Sequence, residues 1–152
     1  MITNTLCYHF TIQAEDFFEE MQSIFHPFDK KYLDLLEILY EQRLAKEDYQ
    51  GSLDVGLQIL QHYHRHYPQF DINTGLMELK SAKLCLLLDY IDEAEKHILK
   101  GKDILEITHG KSHPLVTDSL GQLEQDLAKG KEFKTVSNRL MLKQKGKFSK
   151  SG

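Results

Sequence analysis

The 152-residue chain has no tryptophan, only three prolines and only two cysteines. The two thiols, Cys7 and Cys85, are too few for a disulfide framework and cannot by themselves complete a structural zinc site, so a reducing compartment is expected. No apolar run reaches the roughly 18 residues of a membrane span, and the first residues lack the pattern of a secretory signal. We therefore expect a cytoplasmic or nuclear protein with no membrane contact.

Charge is divided unevenly along the chain. Residues 1–128 carry 11 Lys/Arg against 22 Asp/Glu, a net charge of −11, whereas residues 129–152 carry 8 Lys/Arg against one acid, a net charge of +7. The acidic part is typical of a solvated globular surface. The basic tail is expected to be disordered, and it either attracts nucleic acid or an anionic lipid surface nonspecifically through the phosphates or has no specific partner.

Between residues 31 and 128, apolar residues recur at helical spacing in segments that short polar breaks separate. A capping helix is expected over 14–25, and a last helix is expected to open at Pro114. The remaining helices are expected over 32–46, 52–67, 74–88 and 90–108. In the second of these, the predicted buried stripe is Leu53, Leu57, Leu60 and His64. The strand-like alternation of residues 6–12 has no partner strand, and its role stays open.

Two of the segments resemble each other when the sequence is shifted by 41 residues, which lays Asp48 over Asp89 and Leu57 over Ile98. The sequence therefore predicts an all-α fold of about six helices, arranged as stacked antiparallel hairpins in a right-handed, tetratricopeptide-like array. The expected domains are an N-terminal segment (1–30), the helical domain (31–128) and the basic tail (129–152). Gly101 is costly inside a helix, so we expect two helices to approach closely there.

Candidate reactive groups do not combine into a site. His62 and His66 share one helix face, and His109 and His113 flank a loop, but neither pair has the third ligand of a stable metal site. Cys85 lies in an apolar run, which is typical of an inert thiol. Glycine-rich phosphate loops are absent from the sequence. We therefore predict no catalytic, cofactor-binding or metal-binding residue.

Three stretches of the helical segments carry a family resemblance. The strongest is the segment 104–115, ILEITHGKSHPL, which follows Ala94-Glu95; the others are 56–68 with its Tyr-Pro turn and 76–87. Together, residues 32–126 resemble the C-terminal helical domain of the SET-and-MYND (SMYD) lysine methyltransferases. That domain is built like tetratricopeptide repeats and is implied to be the regulatory, protein-binding part of the family.

The resemblance does not extend to the family's catalytic parts, which bind S-adenosylmethionine through the SET domain and zinc through the MYND finger. It implies a non-catalytic interaction module that uses no cofactor of its own, with a peptide, a SET domain or a chaperone as its partner. Lys80 and Lys83 are the candidate partner-binding residues, because they would meet an acidic peptide end. The alternative is a fragment of a protein-lysine (histone) methyltransferase that is active only together with a SET domain.

Overall fold

The computed structural model describes residues 18–20, 23–26 and 29–148, with side chains as far as residue 139. Within these residues the fold is all-α, as predicted. The helices are α1 (Lys30–Ala45), α2 (Tyr49–His66), α3 (Ile72–Leu87), α4 (Ile91–His109) and α5 (Gly121–Phe148), and a π-helical segment, Leu115–Leu120, leads directly into α5. Neighbouring helices pack antiparallel, so the predicted class and approximate helix number are confirmed. The strand-like residues 6–12 lie outside the described part.

Aspartate side chains fix the starts of three helices. Asp29 accepts a hydrogen bond from the backbone N–H of Lys31, and Asp71 accepts one from that of Asn73, each at 2.9 Å. Asp48 accepts one from the backbone N–H of Gly51, also at 2.9 Å. Such bonds satisfy N–H groups that have no partner inside the first turn. The cap at Asp48 explains why α2 begins at residue 49, three residues before the predicted start.

The two helical hairpins repeat with an offset of 42 residues, one more than the predicted shift. Lys30 opens α1 and Ile72 opens α3 (72 minus 30), and Tyr49 opens α2 and Ile91 opens α4 (91 minus 49). The turns agree, because Glu47 and Asp89 both have a φ of 60°. The shift of 41 was wrong because it aligned two similar Asp-Tyr dipeptides, which stand one place apart in the two turns.

The buried face of α2 also differs from the prediction. Leu53 and Leu60 are buried as expected, but Leu57 is 38% exposed and the side chain of His64 is 52% exposed. Six positions are buried in both α2 and α4 at the 42-residue offset: Ser52 with Ala94, Val55 with His97, Gly56 with Ile98, Ile59 with Gly101, His62 with Ile104, and Tyr63 with Leu105. Counting leucines misplaced the stripe, because the core of α2 also contains small and β-branched residues.

The predicted close helix approach at Gly101 is confirmed. A methyl group added there would lie 2.7 Å from Cδ2 of Leu79 and 3.3 Å from the carbonyl oxygen of Gly75. Gly75 faces the same contact from α3, where an added methyl group would lie 2.9 Å from Cγ2 of Ile104. Two glycines thus let α3 and α4 pack at short distance. These two helices have the most extensive contact of any pair of described helices.

Helix α5 continues through most of the segment that the sequence suggests is a disordered tail, as far as Phe148. Ion pairs join its Lys131 to Glu95 at 2.6 Å and its Lys134 to Asp92 at 2.8 Å, both on α4. Gly130 packs closely against Ile91, because a methyl group added at Gly130 would lie 2.6 Å from Cδ1 of Ile91. The acidic start of α4 therefore gives the basic helix a surface to lie on, and the predicted domain boundaries stay predictions.

At the other end of the stack, Phe18 stacks on Tyr32 of α1, with 5.8 Å between ring centroids and 23° between the ring planes. Phe18 and Phe25 are partly buried against the core. Ile24 of the predicted capping helix is 65% exposed, and residues 14–17, 21 and 22 of that helix lie outside the described part. Among the described helices, none has both the length and the apolar character that crossing a bilayer requires.

Candidate functional site

An open groove lies between α3 and α5, with the start of α4 and the π-helical segment closing its sides. Its volume is about 700 Å³. Most of the lining is apolar: Leu76, Leu79, Leu86, Leu87, Ile91, Leu115 and Leu123. Polar groups stand at its edges: Lys80, Lys83, Asp89, Ser119, Gln122 and Asp126. We call this surface the α3/α5 groove.

Both candidate partner-binding residues line the α3/α5 groove, on its α3 edge. Lys80 extends toward α1, where its Nζ lies 3.7 Å from Oε1 of Glu41 and 5.6 Å from the ring centroid of Tyr40. Its side chain is 53% exposed and that of Glu41 is 64% exposed, so this ion pair contributes little to stability. Lys83 is exposed. The structure thus brings the two lysines to one surface.

Lys83 differs from Lys80 in having no ion pair within the described part of the chain. The repeat explains the difference. At the 42-residue offset, Lys83 is equivalent to Glu41 of the first hairpin. Glu41 forms its ion pair with Lys80 of the second hairpin. Adding 42 to Lys80 gives Gln122 on α5, a neutral residue whose amide donates to Asp126 at 3.1 Å. If the Glu41–Lys80 pair were repeated one hairpin later, position 122 would hold the charged partner of Lys83. That position holds the neutral Gln122.

The neighbouring wall of the stack, between α1 and α3, is more acidic and has buried tyrosines. The hydroxyl of Tyr63 donates to Oε1 of Glu37 at 2.8 Å, and burial together with this bond raises the pKa of Tyr63. Burial, with a smaller contribution from Glu41, raises the pKa of Tyr40 to about 12. Both phenols therefore stay protonated at neutral pH and act as neutral packing groups.

A carboxylate is buried in the middle of the fold. Glu78 of α3 has no exposed surface, and its Oε2 lies 2.5 Å from Nδ1 of His97 on α4. Its Oε1 lies 3.5 Å from Nε2 of His64 on α2 but makes no hydrogen bond. Glu78 thus connects three helices. The equivalent positions at offsets of 42 hold leucine, Leu36 in α1 and Leu120 in the π-helical segment, and both are buried.

The members of each of the two histidine pairs singled out in the sequence lie close together in space. The rings of His62 and His66 lie 6.0 Å apart, and those of His109 and His113 lie 4.7 Å apart. Across the described residues, no three histidine, cysteine or carboxylate side chains group in a way that would hold a metal ion. Cys85 is buried, and burial raises the pKa of its thiol to about 11, as expected for an unreactive cysteine.

The chain is similar to "N-lysine methyltransferase SMYD2" of Homo sapiens, with 30% identity over 109 residues, or 70% of this chain and 24% of the relative. The same protein of Rattus norvegicus is 31% identical over 109 residues, again 70% of this chain and 24% of the relative. That of Gallus gallus is 30% identical over 100 residues, 64% of this chain and 23% of the relative. The chain contains a SMYD-like region. The predicted resemblance is thereby confirmed, although no protein-family model matches. This chain spans about a quarter of the relatives' length.

Sequence reasoning named Lys80 and Lys83 of the SMYD-like region as candidate partner-binding residues but missed the buried Glu78. A glutamate in a helix is normally assigned to the exposed face, since charged residues are rarely buried without a partner. The available signal was the repeat. At the correct offset of 42, Glu78 falls on the leucine position of the neighbouring hairpin, and His97 falls on Val55.

Proposed function

We propose that this SMYD-like region is a non-catalytic module that binds a protein or peptide partner in the α3/α5 groove. The observation that carries the proposal is the position of Lys80 and Lys83 on one edge of an apolar surface. Lysine ammonium groups form charge-assisted hydrogen bonds with carboxylates, and an adjacent apolar floor adds affinity for a ligand that has both kinds of group. An acidic peptide fits this combination.

The energetics of the two lysines support the assignment. When it turns to a ligand, Lys80 gives up two weak contacts, the solvent-exposed pair with Glu41 and its position over the Tyr40 ring. Lys83 gives up no ion pair of the described residues. Binding of a carboxylate at this edge therefore costs little in lost internal contacts.

The first experiment measures binding of an acidic peptide with a free C-terminal carboxylate, labelled for fluorescence anisotropy, to the full chain. We expect K80E/K83E to weaken binding by at least about tenfold, because attraction becomes repulsion. The matched control is K30E/K31E, which reverses two exposed lysines at the start of α1, outside the groove. Equal affinity in both double variants would remove the lysines from the site.

A second candidate is that the chain is a part of an N-lysine methyltransferase that works only together with a SET domain. The observation that favours it is that the chain spans 24% of a relative that is named as an N-lysine methyltransferase. In that case S-adenosylmethionine and zinc would be bound by the other domains. Incubation with labelled S-adenosylmethionine and a histone distinguishes the two. Methyl transfer by this chain alone would contradict the first proposal, and transfer only after addition of a SET domain would favour the second.

A further inference from the structure

We propose that the occupant of the α3/α5 groove is an amphipathic helix of a partner protein. Its apolar face would lie on the leucine floor and its acidic flank would face Lys83. This inference rests on the proposed interaction function and specifies the chemistry of the partner. Three features of the groove lead to it: the apolar floor, the state of the surrounding backbone, and the placement of charge.

The floor offers apolar side chains that the described fold leaves partly uncovered. Leu87 is 55% exposed, whereas Leu79 and Leu123 below it are buried. Leu76 and Leu115 are half-buried on either side. A row of leucines of this kind is removed from water by contact with the apolar stripe of another element, which favours binding.

The backbone around the groove favours a helix over an extended peptide. The walls are the helices α3 and α5 and the π-helical segment, whose backbone groups bond within their own elements. An extended peptide would need partners for its own N–H and C=O groups, since unpaired polar backbone is costly when buried. The edge offers few, because the Gln122 amide is bonded to Asp126. A helix brings its hydrogen bonds with it and needs only side-chain contacts.

Charge sets the orientation. Lys83 stands on the α3 edge without an ion pair among the described residues, and Lys80 next to it holds an exposed ion pair with Glu41 and lies over the Tyr40 ring. On the opposite edge stands Asp126, and Asp89 stands at the end of the groove. An acidic flank on the bound helix therefore complements the α3 edge, and a basic or neutral flank complements the α5 edge.

The test uses a synthetic peptide of about 18 residues, with leucines at i, i+3, i+4 and i+7 and glutamates along one flank. A matched peptide has the same composition with one central residue exchanged for proline, which breaks the helix. Affinity for the full chain is measured by calorimetry and peptide helicity by circular dichroism. We expect the helical peptide to bind and to gain helicity, and the proline peptide to bind at least about tenfold more weakly.

Two protein variants locate the binding. Leu87→Glu places a charge on the groove floor, and Leu99→Glu does the same on the outer face of α4, at nearly the same exposure (55% and 56%). We expect the first variant to weaken binding of the helical peptide by at least about tenfold and the second to leave it unchanged. Equal effects of the two variants would overturn the assignment to this groove.

The outcomes separate this inference from the proposed function. If both peptides bind equally and K80E/K83E weakens both, the helix inference fails and the interaction function survives. If neither these peptides nor the acidic peptide binds, both proposals fail. Sedimentation of the chain alone tests whether a second copy of this chain occupies the groove instead. A dimer that Leu87→Glu dissociates would assign the groove to a second copy of this chain and overturn the partner-helix inference.

Discussion

The carboxylate of Glu78 and the imidazole of His97 stand where the neighbouring hairpin has two aliphatic side chains. The two polar groups lie 2.5 Å apart between α3 and α4. At the 42-residue offset their equivalents are Leu36 and Val55, which are buried to the same degree or more. One repeat therefore joins its layers by apolar packing, and the other uses a polar contact at the same two positions.

This equivalence predicts the effect of exchanging one pair for the other. Glu78→Leu alone leaves the buried ring nitrogen of His97 without its partner, and we expect it to lower the free energy of unfolding by about 1–3 kcal/mol. The double variant E78L/H97V copies the first hairpin, and we expect a stability within about 1 kcal/mol of the natural chain or above it. Urea unfolding, followed by circular dichroism, measures both.

The control for this experiment is the surface pair of Lys102 and Glu124, whose side chains are 37% and 45% exposed. Glu124→Ala should change the free energy of unfolding by less than about 1 kcal/mol. If the losses in E78L and H97V simply add in the double variant, the two side chains do not act as a pair and the interpretation is wrong.

The contact of Gly75 with Gly101 predicts a steric effect. A valine at position 101 would place its Cβ 2.7 Å from Cδ2 of Leu79 and 3.3 Å from a backbone carbonyl, so the Leu79 side chain or the helices must shift. We expect Gly101→Val to lower the free energy of unfolding by about 1–3 kcal/mol, measured by urea or thermal unfolding.

Gly121 provides the matched control, because it is helical, with φ −57° and ψ −39°, and an added methyl group would meet nothing within 4 Å. Gly121→Ala should therefore raise the stability by up to about 1 kcal/mol, as alanine favours a helix more than glycine does. An unchanged melting temperature in Gly101→Val would show that α3 and α4 are not in tight contact.

Helical periodicity was enough to predict the class of the fold and most helix positions, because each hairpin has a leucine-rich face. Gly101 was predictable for a related reason, since a glycine inside a helix costs stability unless packing requires it. The start of α2 was missed because Asp48 caps the helix, and a polar run is equally typical of a loop. The exact repeat offset was missed because two similar dipeptides stand one place apart in the two turns.

The candidate site was predictable only in part. Lys80 and Lys83 are candidates because the first helix of a hairpin is expected to line a groove in such a stack, but the walls of the groove depend on how α5 packs against α3. That packing follows from contacts distant in sequence, such as Gly130 on Ile91 and Lys131 on Glu95. Periodicity identifies which face of a helix is buried and does not identify which element covers it.

The environment of Cys85 predicts its reactivity. The thiol is 1% exposed, and burial raises its pKa to about 11, so at pH 8 only about one molecule in a thousand would carry the reactive thiolate. In a Cys7→Ser variant, which leaves a single thiol, we expect a disulfide reagent to label Cys85 slowly in the folded protein and rapidly in urea. Fast labelling without denaturant would contradict the buried placement of this side chain.

The contact between Lys134 and Asp92 predicts how acid affects the position of α5. The hydrogen bond from Lys134 lowers the pKa of Asp92 below its usual value of 3.8. Because the folded pKa lies below the unfolded one, the stabilisation is complete above the usual value and is lost as the pH falls through the folded value. We expect amide protection in residues 131–139, corrected for intrinsic exchange, to fall between pH 5 and pH 2. In Asp92→Asn, protection should already be lower at pH 5 and depend less on pH.

Asp118→Asn, an exposed acid that has no lysine partner among the described residues, is the control and should behave like the natural chain. The same acid response in Asp92→Asn as in the natural chain would mean that this ion pair does not hold α5 on α4.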